Sequence, residues 1–352
     1  MRRSSLFRTL PLLAGLSWGQ SPSWQEAAPM NTARSETRAV VIDDKFYVVA
    51  GFNSAGLQLQ SLEVYNPVTN TWTTRAPAPR GMDHHMMAAH GGKLYVLKYD
   101  SIYVYDPSAN SWSARPDSSG QTRNDGTAVT VGDYIYVLGG GPLPIQRYHP
   151  PTRRWETRAS LQTSRGHVNA VAMNGKIWVL GGRSGSAAFR TVEIYDPATN
   201  QVSPGPSMDS VRSGHAAEAI GGKIVVAGGE APGSPSWRLT HSVEIYDTAA
   251  GQWSLLTPPP LGLHGVASAV WNGRFYLLGG ATVAASPINT NRVFYLQIGP
   301  ASALRRPHPS YERSPTAPFL QNRDGRVVLP WNGGHYGLNG RFQTLVSTVP
   351  GD

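Results

Sequence analysis

The feature that most constrains this chain is that it repeats itself. From Arg212 to Trp253 it reads RSGHAAEAIGGKIVVAGGE, a polar loop, then SVEIYDTAAGQW. An apolar run, the turn Gly221-Gly222 and a second apolar run, Lys223–Ala227, read as a β-hairpin, because a Gly-Gly turn matches strand twist. A third strand follows at Ser242–Tyr246 and a fourth starts at Trp253, so the unit is predicted to be four antiparallel strands. The tight turn recurs at Asp43-Asp44, Gly91-Gly92, Gly132-Asp133, Asn174-Gly175 and Asn272-Gly273. After each comes an apolar strand: KFYVVAG, KLYVLKY, YIYVLGG, KIWVLGG and RFYLLGG. Third strands follow as LEVYNP, IYVYDP, IQRYHP and VEIYDP, running into Trp72, Trp112, Trp155 or, in the fourth copy, Val202. A unit recurring every roughly 40–50 residues means stacked copies burying a shared core.

The sixth copy has its hairpin and a third strand near Arg292–Leu296, but no Trp-led fourth strand after it. That strand stands at the other end of the repeats, at Ser23-Trp24-Gln25-Glu26. Trp24 precedes Lys45 by 21 residues, the separation of Trp72 from Lys93 and of Trp253 from Arg274. The beginning of the repeat region is therefore expected to complete its last unit.

Over about residues 23–298 the pattern resembles the kelch-repeat family. The resemblance is carried by Gly139-Gly140, Gly181-Gly182, Gly228-Gly229 and Gly279-Gly280, by the Tyr-Asp-Pro units at Tyr105 and Tyr195, and by the Trp series. It implies an all-β, six-bladed β-propeller closed by the N-terminal strand. The glycines permit a positive-φ exit from a strand, Asp-Pro starts a turn, and Trp packs between neighbouring sheets. The departures are Ala50-Gly51, Lys98-Tyr99 and Val202.

Residues 1–20 have a basic start, a short apolar centre and small residues, the layout of a secretory signal peptide, so a secreted or periplasmic location is expected. Residues 21–298 are assigned to the propeller. Residues 299–352 form a Pro-, Arg- and Gly-rich extension, read as a disordered tail or a small hairpin. Nothing in the sequence resembles an oligomerisation domain, so a monomer is expected and a ubiquitin-adaptor role is not implied. No apolar run is long enough to span a bilayer in the mature chain.

The net charge of +9 suggests nucleic acid until it is placed along the chain. Arg2, Arg3 and Arg8 precede the repeats, and after residue 299 six arginines stand against three acids. Only a third of the excess falls on the propeller, with no lysine-rich stripe, which disfavours nucleic acid.

Eleven residues before each second strand stand Arg34, Met82, Arg123, Arg165, Arg212 and Leu263. In the family this stretch points toward the channel mouth. Four arginines there imply a basic, asymmetric mouth for an acidic peptide, protein or sugar acid, since a guanidinium donates two parallel hydrogen bonds to a carboxylate. The alternative is structural: the same fork can bond loop carbonyls and tie blades together. The neighbours Glu36, Asp83, His84, Asn124, Asp125, His167 and His215 add polar variety, and Trp237 with Arg238 in the long loop 229–241 could grip a sugar or peptide. The expected ligand site is thus Arg34, Arg123, Arg165, Arg212, Asn124, Asp125, His84, His167, Trp237 and Arg238.

Catalysis has a weaker signature. His84-His85 with His90 and His167 suggest a metal, but adjacent strand residues face opposite ways and the pair cannot easily chelate together, so no metal and no cofactor is expected. With no cysteine in the chain, the Tyr–Cys chemistry of copper radical oxidases that share kelch propellers is excluded. The main expectation is a non-catalytic binding module, of protein or carbohydrate. The enzyme alternative is a sugar-acid epimerase resembling sialic-acid mutarotases, with Glu36, His84, Asp125 or Glu230 as acid and base if they converge.

Overall fold

The computed structural model describes residues 23–98, 101–117, 119–121, 123–234 and 236–299. The expectations for residues 1–20 and 300–352 lie outside them. Six four-stranded antiparallel sheets follow one another. Blade 1 is Arg38–Ile42, Lys45–Val49, Leu62–Asn66 and Thr71–Arg75. Blade 2 is Met86–His90, Lys93–Lys98, Ser101–Asp106 and Ser111–Arg115. Blade 3 is Gly126–Val131, Tyr134–Gly139, Gln146–His149 and Arg154–Thr157. Blade 4 is Asn169–Met173, Lys176–Leu180, Val192–Asp196 and Gln201–Gly205. Blade 5 is Ala216–Ile220, Lys223–Ala227, Val243–Asp247 and Gln252–Leu256. Blade 6 is Ala267–Trp271, Arg274–Leu278 and Val293–Gln297, with Gln25–Ala27 as its outer strand.

The closure read from the Trp spacing is observed: Gln25 pairs with Tyr295, Glu26 with Phe294 and Ala27 with Val293. The Arg292 guanidinium locks this seam with two 2.7 Å bonds to the Glu26 carboxylate. Joining the first strand to the last blade ties the two ends of the repeat array together and leaves blade 6 only a short outer edge.

The core sits between blades. Phe46 and Tyr65 of blade 1 pack on Tyr276 and Leu278 of blade 6, and Tyr47 and Val49 pack on Leu94 and Tyr105 of blade 2. Each outer-strand Trp reaches back across the seam. The indole N–H of Trp72 donates to the Ala28 carbonyl, Trp112 to Ala76, Trp155 to Asp117, Trp253 to Pro206 and Trp24 to Thr257, all at 2.7–2.9 Å. Val202 occupies the same register, opposite Tyr195, and gives blade 4 only its apolar contact.

The glycine pairs serve the same seams. Gly228 has φ +66°, and a Cβ there would lie 2.5 Å from the Leu263 carbonyl of the next blade. Its neighbour Gly229 donates its N–H to that carbonyl at 2.7 Å, as Gly140 does to Arg165, Gly182 to Arg212 and Gly280 to Arg34. The long second-to-third-strand loops of blades 4 and 5 carry small hairpins, Arg183–Ser184 with Ala187–Ala188 and Glu230–Pro232 with Trp237–Leu239. They open on the end of the channel where the innermost strands begin.

Candidate functional site

The four arginines expected at the channel mouth lie inside the blades, and this corrects the expectation of a basic mouth built from them. Arg34, Arg165 and Arg212 are at most 1% exposed, and Arg123 is 2% exposed. Arg212 Nη1 donates to the carbonyls of Gly228 (2.8 Å) and Ser242 (3.2 Å), and its Nη2 to Ser242 Oγ (2.8 Å) and the Glu244 carboxylate. Arg165 repeats this with Gly181, Thr191 and Glu193, and Arg34 with Ala50, Ser61 and Glu63. Arg123 uses the carbonyls of Gly139 and Pro144 and, in place of a glutamate, Gln146. The glutamates are saturated in turn: Glu244 accepts the N–H groups of Asp209 (2.7 Å) and Ser210 (3.1 Å). Buried and bonded to internal oxygens through their Nη atoms, these guanidinium groups do not reach a ligand, so these residues tie loops to strands.

The sequence held a signal for this. Glu63, Glu193 and Glu244 are each the partner of the fourth residue in the preceding strand, opposite Val48, Val179 and Val226. In the two copies without the arginine that register holds Tyr103 and Phe294, opposite Val96 and Leu277. Arginine thus travels with Glu or Gln, and Met82 or Leu263 with an aromatic ring.

The residues that face the axis stand two positions further on: Glu36, His84, Asp125, His167, Gly214 and Gly265. All six have left-handed backbone, φ between +45° and +60°. Backbone bonds link them around the opening, from Glu36 N to Gly265 O (2.8 Å), His84 N to Glu36 O (3.0 Å), Gly214 N to His167 O (2.9 Å) and Gly265 N to Gly214 O (2.8 Å). Glycine is the unstrained choice there, and an L side chain costs about 1–2 kcal/mol. Four copies bear that cost, and strain of this kind clusters at functional sites. Gly265 makes room: a Cβ on it would overlap the Glu36 carboxylate.

The four side chains converge. His84 Nε2 lies 3.2 Å from Glu36 Oε2 and 3.8 Å from Asp125 Oδ1, and His167 Nε2 lies 3.0 Å from Asp125 Oδ2. Asp83 fixes His84 through Nδ1 at 2.5 Å. From the loops come Glu230, bonded at 2.9 Å to Arg183, and His264, whose Nδ1 is 3.4 Å from Glu36 and 3.8 Å from Glu230. Arg183 also lies 2.7 Å from His167 Nε2 and stacks 4.8 Å over the Trp237 ring. Phe52 meets His84 edge-on at 5.7 Å.

Of the expected ligand residues, the structure therefore gathers His84, Asp125, His167 and, behind Arg183, Trp237. Asn124 and Arg238 are exposed. His215 is buried, with neither ring nitrogen hydrogen-bonded, and burial pushes its pKa down. Glu36, Asp83, Arg183, Glu230 and His264 complete the cluster. Arg183 and His264 had no signal in the repeat pattern, because the other copies hold different residues at their registers.

The cluster is an ion-pair network. Burial raises the Glu36 pKa, but the His264 hydrogen bond and the charges of His84, His167 and His264 outweigh it and hold the carboxyl well below its ordinary range. Burial likewise opposes ionisation of Asp83 and Asp125, and bonds to His84 and His167 respectively reverse the balance. For His84 and His264, burial favours the neutral ring, yet the surrounding carboxylates hold both pKa values above the histidine norm. Glu36, His84 and His167 each offer one ligand atom, all within 4.8 Å of one another, so this trio could hold a metal ion. The ring that joins His84 there is His167 of another blade, not its chain neighbour His85.

Below the mouth runs a channel of about 410 Å³ walled by the six innermost strands. Arg38, Val40, Thr130, Glu218 and Ser268 line it. Burial pushes the Glu218 carboxyl up to about 7, although Ser268 Oγ donates to it at 2.9 Å.

Six radial sheets, inter-blade cores and a polar axial mouth define a six-bladed β-propeller. A kelch motif model matches residues 33–79, 164–209 and 212–260. The chain is 28% identical over 207 residues to Kelch-like protein 35 of Mus musculus, covering 56% of this chain and 36% of that protein. It is 27% identical over 289 residues to Kelch-like protein terF of Aspergillus terreus, covering 72% and 62%. To Alpha-scruin of Limulus polyphemus it is 23% identical over 329 residues, covering 88% and 31%. It spans less than two thirds of the length of each. Among solved structures, that of YjhT superposes with a TM-score of 0.68 at 15% identity, covering 76% of this chain and 95% of the other, a likeness of fold. The chain belongs to the kelch-repeat family.

Proposed function

We propose that this protein is a non-catalytic interaction module that holds a segment of a partner protein on the loop-bearing mouth. A cationic side chain of that segment enters the axial cluster. The observation that carries this is the composition of the mouth: the carboxylates of Glu36, Asp83, Asp125 and Glu230 meet there against one permanent cation, Arg183, and the titratable rings of His84, His167 and His264. The acidic ligand that the buried arginines suggested loses its motive with them. A protein partner is supported by the rim, where Leu57, Val283 and Ile288 are 64%, 44% and 53% exposed on the loops of blades 1 and 6. These two loops touch, Asn289 Nδ2 donating to the Phe52 carbonyl at 2.7 Å. Exposed apolar residues around a charged centre suit a protein interface.

One observation favours a second reading, a sugar-acid epimerase. Glu36, His84, Asp125 and Glu230 do converge, and Arg183 could hold a substrate carboxylate. Ring opening and closure need one proton donor and one acceptor near the anomeric centre, which an imidazole and a carboxylate 3.2 Å apart can supply.

Thermal shift with basic, acidic and neutral peptides and with sugar acids separates the readings, since a ligand that binds only the folded state raises the Tm. A shift with basic peptides that Glu36→Gln/Asp125→Asn removes supports the interaction module. A shift with a sugar acid, together with faster anomer exchange, replaces it by the enzyme. A shift with acidic peptides alone overturns the cationic preference. Export through residues 1–20 belongs to the same proposal, and N-terminal sequencing of the mature protein tests it.

A further inference from the structure

We infer that Glu36, His84 and His167 form a binding site for a divalent transition-metal ion of the zinc class on the propeller axis. The site shares Glu36 with the cluster proposed to take a partner's cationic side chain, so a bound ion would compete with it, and the test reads ion binding to the chain alone.

Distance is the first argument. Zinc binds histidine nitrogen at about 2.0–2.1 Å and carboxylate oxygen at about 2.0–2.2 Å, so two tetrahedral ligands stand roughly 3.3–3.5 Å apart. His84 Nε2 and Glu36 Oε2 are 3.2 Å apart, and all three ligand atoms of the trio fall within 4.8 Å. One pair is already at metal spacing, and the third atom has at most about 1.5 Å to move. Two imidazoles and a carboxylate are the donor set zinc favours, and three protein ligands leave a position open to the solvent side of the mouth.

Orientation is the second. A metal-binding histidine usually donates its other ring N–H to a carboxylate, which fixes the tautomer and turns the lone pair to the ion. Asp83 Oδ1 lies 2.5 Å from His84 Nδ1, and the other Asp83 oxygen accepts from the Gln58 side chain. With Nδ1 on Asp83, Nε2 is the nitrogen of His84 that faces Glu36 and the axis.

The third argument is that the cluster already holds a cation in the ion's place. Arg183 Nη2 lies 2.7 Å from His167 Nε2 and Asp125 Oδ2 lies 3.0 Å from the same nitrogen, so the guanidinium stands beside the atom that a metal would use. One nitrogen cannot both accept from Arg183 and donate to Asp125, and a metal ion bound to it would remove that conflict. A metal ion would displace Arg183 from His167 and leave it on Glu230 and the Trp237 face. Asp125 would add a second negative charge beside the dication.

The test uses the full chain, stripped with a chelator and titrated with ZnCl₂ by calorimetry, with Co²⁺ as a spectroscopic stand-in. The expected result is saturable binding of one ion per chain, with the visible bands of four-coordinate Co²⁺. Glu36→Gln and His84→Gln/His167→Gln should abolish it. Asp83→Asn should weaken it about 10–100-fold, as loss of an orienting carboxylate does, and Arg183→Met should strengthen it by removing the competitor. Absence of saturable binding to the wild-type chain overturns the inference, as does binding that none of these variants changes. If circular dichroism shows the double histidine variant unfolded, Glu36→Gln and Arg183→Met decide, because they must move affinity in opposite directions.

Discussion

Replacing Arg212 with alanine should cost stability and leave mouth binding to the folded protein intact. Both Arg212 and Glu244 have side chains 0% exposed. The substitution removes the donors to the Gly228 and Ser242 carbonyls and to Ser242 Oγ, and leaves a buried carboxylate with only the Asp209 and Ser210 N–H groups. Breaking a buried pair from one side costs about 3–5 kcal/mol, a large part of the ~5–15 kcal/mol that holds a typical domain folded. The chain supplies its own repair, since the sixth copy fills the same two positions with Leu263 and Phe294, each 1% exposed. Arg212→Leu/Glu244→Phe should therefore be more stable than the two single changes predict, by about 1–3 kcal/mol of coupling. Urea denaturation of the four proteins, with the m-value checked for two-state behaviour, measures this. A cost below about 1 kcal/mol for Arg212→Ala, or additive behaviour in the double variant, would refute the structural reading of the arginines.

Two further outcomes follow from other contacts. Glu218 has its pKa raised in the folded state to about 7, from 4.5. Its contribution to stability is therefore full below the unfolded value and falls as pH rises from about 4.5 through 7, by at most about 3 kcal/mol and by less because the channel admits water. The Tm advantage of Glu218→Gln over wild type should accordingly grow across that window and level off above it; a constant difference would refute the assignment. Trp253→Phe keeps the ring but loses the 2.9 Å bond to the Pro206 carbonyl, which should cost about 1 kcal/mol in chemical denaturation without altering ligand binding; an unchanged midpoint would contradict the role given to the indole N–H.

The fold was legible because the blades restate the same local instructions, with departures in single features only: a tight turn, the apolar second strand, a glycine pair in four blades and a Trp in five. Even the ring closure could be read from the 21-residue interval between Trp24 and Lys45. The site was half legible. Counting from the second strand found the right stretch of each blade, but Arg212 stood out by charge while Gly214 and its counterparts Glu36, His84, Asp125 and His167 carried the meaning. An alternating strand entry can place a long guanidinium inside the blade and a shorter side chain two residues later on the axis, and periodicity alone does not say which. The internal pairing of Arg212 with Glu244 and of Leu263 with Phe294 would have decided it. Arg183 and His264 stand at repeat registers, one after the pair Gly181-Gly182 and the other before Gly265, but the other copies hold different residues there, so no recurring side chain marked them.

The central claim is that function resides in the axial residues and not in the arginines two positions earlier. The most direct measurement is the affinity of basic peptides, by fluorescence anisotropy, for wild type, for Glu36→Gln/Asp125→Asn and for Arg212→Leu/Glu244→Phe, at a temperature where all three are folded. The account predicts that the axial variant loses binding and that the blade variant binds as wild type does. Binding that survives the axial change, or disappears with the blade change, would contradict it.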